Sequence, residues 1–309
     1  MLRLTLLGSL HVELDNAPVH GLASRKAPAL LSYLAVTGRA HSREALAGLL
    51  WGERPQERAS GDLRVVLASL GRHLPGALRV TRQTAALEPG YPLWVDALVL
   101  ERAVNDETLA LESLEEALAL YRGPFLEGFH IRGAPAFEEW MLVEQERFLN
   151  LARRGLRRLV QRRAARGEYA AAIALAQRLL ALDPWREEAH RELMGLLALS
   201  GQRSAALSQY EACRRLLAAE LGLEPLEETT ALYEQIRDAP AVPAPAAPTD
   251  TAWGPAGPPF VGRQEEHARL VHEWEAARRG RGRLTLVAGE AGVGKTRLVE
   301  ETPVSYTHL

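Results

Sequence analysis

Apolar and polar residues alternate along the opening stretch LRLTLLGSLHVEL, and a period of two marks a half-buried β-strand. The run LTLLGSLHV is read as one strand; it is too short to cross a bilayer and runs into His11 and Glu13. Three segments with helical spacing follow. Ser24 precedes APALLSYLAV and Ser42 precedes REALAGLLW, each where a hydroxyl can accept a hydrogen bond from the first unpaired amides of a helix. Pro28 is tolerated only in a first helical turn, so the first helix cannot start much before Ser24. The third segment, about 57–74, sets Leu63, Leu67, Leu70 and Leu74 on one stripe and Arg64, Ala68 and Arg72 on the other side. LRVTRQTAALEP then reads as a hairpin, which completes a strand, three-helix and hairpin unit over residues 1–95.

From residue 96 the pattern is helix upon helix, with an internal repeat. Gly167 and Gly201 stand 34 residues apart, as do Ala172 and Ala206, and GEYAAAIALAQRLLALDP is echoed by GQRSAALSQYEACRRLLAAELGLEP. A 34-residue period of Gly, small residues and a closing Pro is the tetratricopeptide pattern, in which Ala171, Ala172 and Ala206 let paired helices approach closely. Pro184 and Pro225 are 41 residues apart, so the second copy carries a longer helix or loop. This helical domain spans 96–237. Residues 238–259 hold seven prolines and no apolar period, and are read as a linker to a final segment, 260–309.

Composition adds little: 47% hydrophobic and 25% charged residues are ordinary for a soluble globular protein. With no leader pattern and a single cysteine, Cys213, on an apolar helical stripe, a cytoplasmic protein with no membrane partner is expected. Charge distribution changes the picture more. The net charge is −2, yet residues 22–82 hold ten Lys or Arg against four Asp or Glu, a local +6 that leaves −8 elsewhere. That asymmetry points to one segment facing a polyanion. Arginine abundance alone does not, because Lys26 and Lys295 are the only lysines in the chain and arginine serves everywhere else.

The basic unit is the first candidate site. Its third helix has the size to enter a DNA major groove, with the following hairpin lying along the backbone or minor groove as a wing. Arg64 and Arg72 are placed for a guanine edge or a phosphate, and Arg58, Arg79 and Arg82 for phosphates; Ser69 completes the expected DNA-facing set. Asp62 runs against phosphate binding unless it caps the helix or pairs with Arg58. The blocks SRKAPALLSYLAVTGRAHSREALAGLLW, RASGDLRVVLASLGRHL and LRVTRQTAALEPGYPLWVD resemble the OmpR-like winged-helix domain of SARP-type bacterial transcriptional activators. YRGPFLEGF and FEEWMLVEQERFLNLARRGLRRL, with the repeats, are similar to the companion bacterial transcriptional activation domain. The resemblance covers about residues 1–237 and implies a sequence-specific activator that binds double-stranded DNA at promoter repeats, third helix in the major groove. It also implies self-association or contact with the RNA polymerase machinery. Asp62 and Gly71 stand where the family often has Asn and Arg, so the target sequence does not transfer.

The helical domain shows no metal-ligand cluster or nucleophile motif, and His130 and His190 are each isolated. The final segment carries chemistry of another kind. GEAGVGKT, comprising Gly289, Glu290, Ala291, Gly292, Val293, Gly294, Lys295 and Thr296, has the spacing of a phosphate-binding loop and follows the strand-like RLTLVA. Glycines free backbone amides to face phosphate oxygens, Lys295 reaches the β- and γ-phosphates, and the Thr296 hydroxyl can ligate Mg²⁺, so ATP and Mg²⁺ are the expected ligands of the complete domain. PFVGRQEEHARLVHEWEAA resembles the entry to AAA or STAND-type nucleotide-binding domains. Fifty residues from Phe260 cannot supply the further strands or the acidic Mg²⁺ partner, and TPVSYTHL resembles a non-native tail, so a truncated NTPase fragment without catalysis is expected. DNA binding should need no cofactor. The fold expected is mainly α: a winged helix-turn-helix (α+β), an all-α tetratricopeptide-like repeat domain and an incomplete P-loop α/β fragment. Two rivals to the transcriptional activator remain, an ATP-dependent signalling NTPase whose N-terminal domains bind protein, and a repeat scaffold.

Overall fold

The computed structural model describes residues 1–22, 24–239 and 264–278. The chain opens with β1 (Leu2–Thr5), β2 (His11–Leu14) and β3 (Ala17–Pro18). The single strand expected in LTLLGSLHV is thus two, because Gly8, at φ 108°, turns the chain between them. Leu6 and Leu7 leave the ladder because their amides are held elsewhere, by the carboxylate of Asp96. Asp15 and Asn16, both left-handed, turn β2 back into β3.

The helices α1 (Lys26–Thr37), α2 (Arg43–Trp51) and α3 (Gln56–His73) follow, with β4 (His41–Ser42) between the first two. Ser42 caps α2 as its position predicts, accepting from the Ala45 amide at 3.1 Å. Ser24 accepts from the Lys26 amide at 3.2 Å, one residue ahead of the helix entry at Arg25. Then come β5 (Leu78–Val80), β6 (Thr84–Leu87) and β7 (Leu93–Val95). Two sheets result, β3-β2-β1-β7 with β7 parallel to β1, and the antiparallel β4-β6-β5 that forms the hairpin and its base. Leu30, Leu34, Leu46, Leu50, Leu63, Leu70 and Leu74 are completely or almost completely buried, so the stripe read in the sequence is the core side of α3.

The helical part comprises α4 (Asp96–Asn105), α5 (Leu111–Ala119), α6 (Pro135–Ala165), α7 (Tyr169–Leu182), α8 (Glu187–Leu199), α9 (Arg203–Leu221) and α10 (Glu227–Asp238). Gly167 and Gly201 both adopt left-handed φ before α7 and α9, and Ala172 and Ala206 are fully buried where the pairs meet. Ala171 is only half-buried. Most of the extension of the second repeat lies in the helix itself, since α9 has 19 residues and α7 has 14. Arginines close several helix ends: Arg158 donates to the Ala103 and Val104 carbonyls at 3.0 and 3.1 Å, and Arg178 to those of Leu118 and Tyr121 at 2.8 and 3.0 Å. The helix α11 (Gln264–Arg278) belongs to a separate compact unit.

Residues 95 and 96 mark a change of architecture and not a gap, for the strand-rich head and the helices through α10 belong to one compact unit. Asp96 pins the joint. Its buried carboxylate accepts from the amides of Leu6, Leu7 and Ala97 at 2.7–3.0 Å. Burial raises its pKa, and these three backbone donors oppose the rise. Alongside it, the Gly8 amide bonds the Pro124 carbonyl at 3.0 Å, and the Leu126 amide bonds that of Leu6 at 2.8 Å. Tyr33 of α1 meets the edge of Trp140 of α6 at 4.8 Å, and Trp140 in turn packs on Phe125 and Phe137.

Candidate nucleic-acid interface

Helix α3 owes its orientation to amphipathicity: one flank carries Leu63, Val66, Leu67 and Leu70 into the core, which forces the opposite flank outward. Arg58, Arg64 and Arg72 are exposed there, and Arg79 and Arg82 are exposed on the hairpin. None of the five side chains has a hydrogen bond, ion pair or ring contact with any described residue. Most arginines of the helical part, by contrast, are engaged with carbonyls or carboxylates of their own chain. The basic residues Arg72 and His73 lie in the last turn of α3, where they complement the helix dipole.

Ser69 does not belong with them. It is 1% exposed, on the buried flank of α3, so it cannot reach a nucleic acid; its neighbours Leu70 and Val66 show which way that flank faces. Asp62 is answered by a different arginine from the one expected. It pairs with Arg54, at 2.6 Å, and not with Arg58. Arg54 sits in the turn between α2 and α3, and Asp62 lies one and a half turns along α3, so the pair ties that turn to the helix and leaves Arg58 uncommitted. Sequence spacing could not show this, because the turn folds Arg54 back over the helix.

The hairpin is held as a wing by bonds at its tip and base. The Thr81 hydroxyl accepts from the Gln83 and Thr84 amides at 3.2 and 2.9 Å, closing the tip. The Arg43 amide donates to the Gln83 carbonyl at 2.8 Å and its guanidinium to the Thr81 carbonyl at 3.3 Å, which fastens the tip to the start of α2. At the base, His41 bonds the Thr37 hydroxyl at 2.8 Å and packs on Tyr33, and burial with the nearby Arg39 charge lowers its pKa. Neither Arg43 nor Thr81 stands out in the sequence as a wing support.

Beside α3 lies a cleft of about 600 Å³ lined by Lys26, Trp51, Arg54, Asp62, Val66 and Arg132. Lys26 lies over the Trp51 ring at 4.7 Å and donates to the Leu50 carbonyl; burial and the charge of Arg54 lower its pKa. It is therefore a helix-end clamp for α2 and not a free cation for a ligand. His130 is exposed, and His190 is a buried structural residue bonded to the Pro184 carbonyl and the Gln209 amide. Cys213 is fully buried, which pushes its thiol up to about 11. The phosphate-loop residues Gly289 to Thr296 lie outside the described residues, as does the linker.

With this geometry in view, comparison with known proteins is decisive. The bacterial transcriptional activator domain matches residues 93–237, and the AAA ATPase domain matches residues 259–307. The transcriptional regulator RedD of Streptomyces coelicolor is 32% identical, over 72% of this chain and 66% of its own length. The chain belongs to the SARP-type transcriptional activators. The regulatory protein AfsR of Streptomyces griseus, another relative, is 30% identical over 96% of this chain. This SARP chain spans about a third of AfsR, 32% of its length. The structure of Mycobacterium tuberculosis EmbR in complex with a low-affinity phosphopeptide superposes with a TM-score of 0.57 at 25% identity, covering 76% of this chain and 65% of that one. The fold follows the same plan as that neighbour, a winged-helix head joined to a helical domain.

Proposed function

We propose that this SARP chain is a sequence-specific, double-stranded-DNA-binding transcriptional activator that acts in the cytoplasm at promoter repeats. In this reading α3 enters the major groove while the β5–β6 wing follows the backbone. The observation that carries it is the set of five exposed guanidinium groups, on α3 and the wing, that have no partner within the described protein. A fully hydrated guanidinium gains little from a protein surface, but on DNA it releases condensed counterions and forms charge-assisted bonds to phosphate or a guanine edge. The names of the relatives RedD and EmbR, both transcriptional regulators, support the same reading.

Arg64 provides the test. On duplexes selected from a random pool by the full chain, Arg64→Ala should weaken binding by about 1–3 kcal/mol at the preferred sequence and relax selectivity at one position, as the loss of a base-edge contact does. An equal loss on every sequence would make Arg64 a phosphate contact. No loss on any duplex would remove α3 from the interface.

A further inference from the structure

The outward face of α3 is not uniformly charged. At about 100° per residue, Arg58, Gly61, Val65, Ala68 and Arg72 fall on one ridge opposite the leucine stripe, with Arg64 on its flank. Val65, 60% exposed, is among the most solvent-exposed large hydrophobic side chains of the described residues. Ala68 beside it is exposed as well. Around Gly61 no atom lies within 4 Å of where a Cβ would stand, so the backbone there is open to close approach. Arg58 and Arg72 are fourteen positions apart, about 21 Å along the helix axis, and between them the ridge is small and apolar.

Val66 beside Val65 is packed in the core; both residues line the adjacent cleft, and Val65 still leaves 60% of its surface to solvent. In a major groove the picture is different. The one apolar group that a base pair shows there is the C5-methyl of thymine, and small aliphatic side chains are its partners. A ridge that is cationic at both ends and aliphatic in the middle matches a groove with phosphate walls and a methyl on its floor.

We propose that Val65, with Ala68 next to it, reads a thymine C5-methyl group beneath the middle of α3, while Gly61 lets the helix settle close to the bases. The proposal rests on the DNA-binding reading above and adds the base and the atom that are recognised. Arg58 and Arg72 then reach outward at the ends of the contact, and the chain prefers sites with thymine at that position over cytosine in the same pyrimidine place.

The experiment replaces each thymine of the selected duplex, one at a time, by deoxyuridine, which removes only the methyl group and keeps the base pair. Binding of the full chain should fall about fourfold at one position, the effect of one methyl lost from an apolar contact. Val65→Ala should bind the thymine duplex more weakly, by a similar factor or more, and should no longer distinguish thymine from deoxyuridine there. Val65→Thr, which retains a methyl group, should keep part of the distinction. Because Val65 is exposed, these variants should unfold at the same temperature as the parent, which a thermal melt checks. Selective DNA binding that ignores the substitution at every thymine, or a distinction that survives in Val65→Ala, overturns this inference and leaves the DNA-binding reading standing. Absence of selective duplex binding by the parent chain overturns both.

Discussion

Arginine does two different jobs in this protein, one half-buried and one exposed. Arg158 and Arg178 are spent on the carbonyl ends of helices, whereas Arg58, Arg64, Arg72, Arg79 and Arg82 bond to nothing among the described residues. His41 shows a third kind of residue-scale control, at the wing base. Its pKa lies below the ordinary value because burial and the charge of Arg39 disfavour the imidazolium. The unfolded chain therefore takes up a proton first as pH falls. The stability contributed by neutral His41 is complete above the unfolded histidine pKa of about 6.5 and is lost as pH falls from there through the lower folded value. Denaturant midpoints measured across that window should decline for the parent and decline less for His41→Gln; equal slopes would mean that His41 does not carry the acid sensitivity. The five arginines expected to face DNA are exposed, but Ser69, expected with them, is not, because a helical stripe read from leucines alone leaves the edges of the buried arc undefined, and Ser69 lies at such an edge.

Elements were legible wherever one local rule decided them. The leucine stripe fixed the buried side of α3, the paired glycines marked the entries to α7 and α9, and Ser42 marked the start of α2. The opening strand was not legible as two, since the break at Gly8 depends on Asp96 and Pro124, which lie about ninety and more positions away in sequence. Long-range closeness of that kind also governs Gly155 of α6. A Cβ there would stand 2.9 Å from both a Leu118 methyl and the Val104 Cγ2, so α4, α5 and α6 meet through the missing side chain. Gly155→Val should lower stability by roughly 1–3 kcal/mol, the usual cost of forcing extra methyl groups into a packed interior. A variant as stable as the parent by chemical denaturation would show that this crossing has slack.

At the scale of the molecule, the head is not an appendage on a flexible tether. The Asp96 carboxylate, the Gly8–Pro124 and Leu6–Leu126 backbone bonds and the Tyr33–Trp140 contact bind the strand-rich head to the helical domain. A change in the helical domain can thus be felt at α1, which packs directly against α6 through those rings. None of these contacts was visible from residue types alone, since the role of Asp96 appears only once the chain after β1 lies against it. The charge division is, however, a property of the whole chain that the sequence shows outright, with +6 over residues 22–82 within a net −2. It makes a quantitative demand on binding. For an interface built from guanidinium–phosphate contacts, the logarithm of the association constant falls linearly with the logarithm of salt concentration, by about 0.9 for each phosphate neutralised. That salt titration, run for the full chain on its selected duplex with Arg79→Ala and Arg82→Ala alongside, should show a steep decline with a slope of several units, made shallower by about one for each wing arginine removed. A binding constant indifferent to salt, or no duplex binding even at low salt, would contradict the DNA-binding reading.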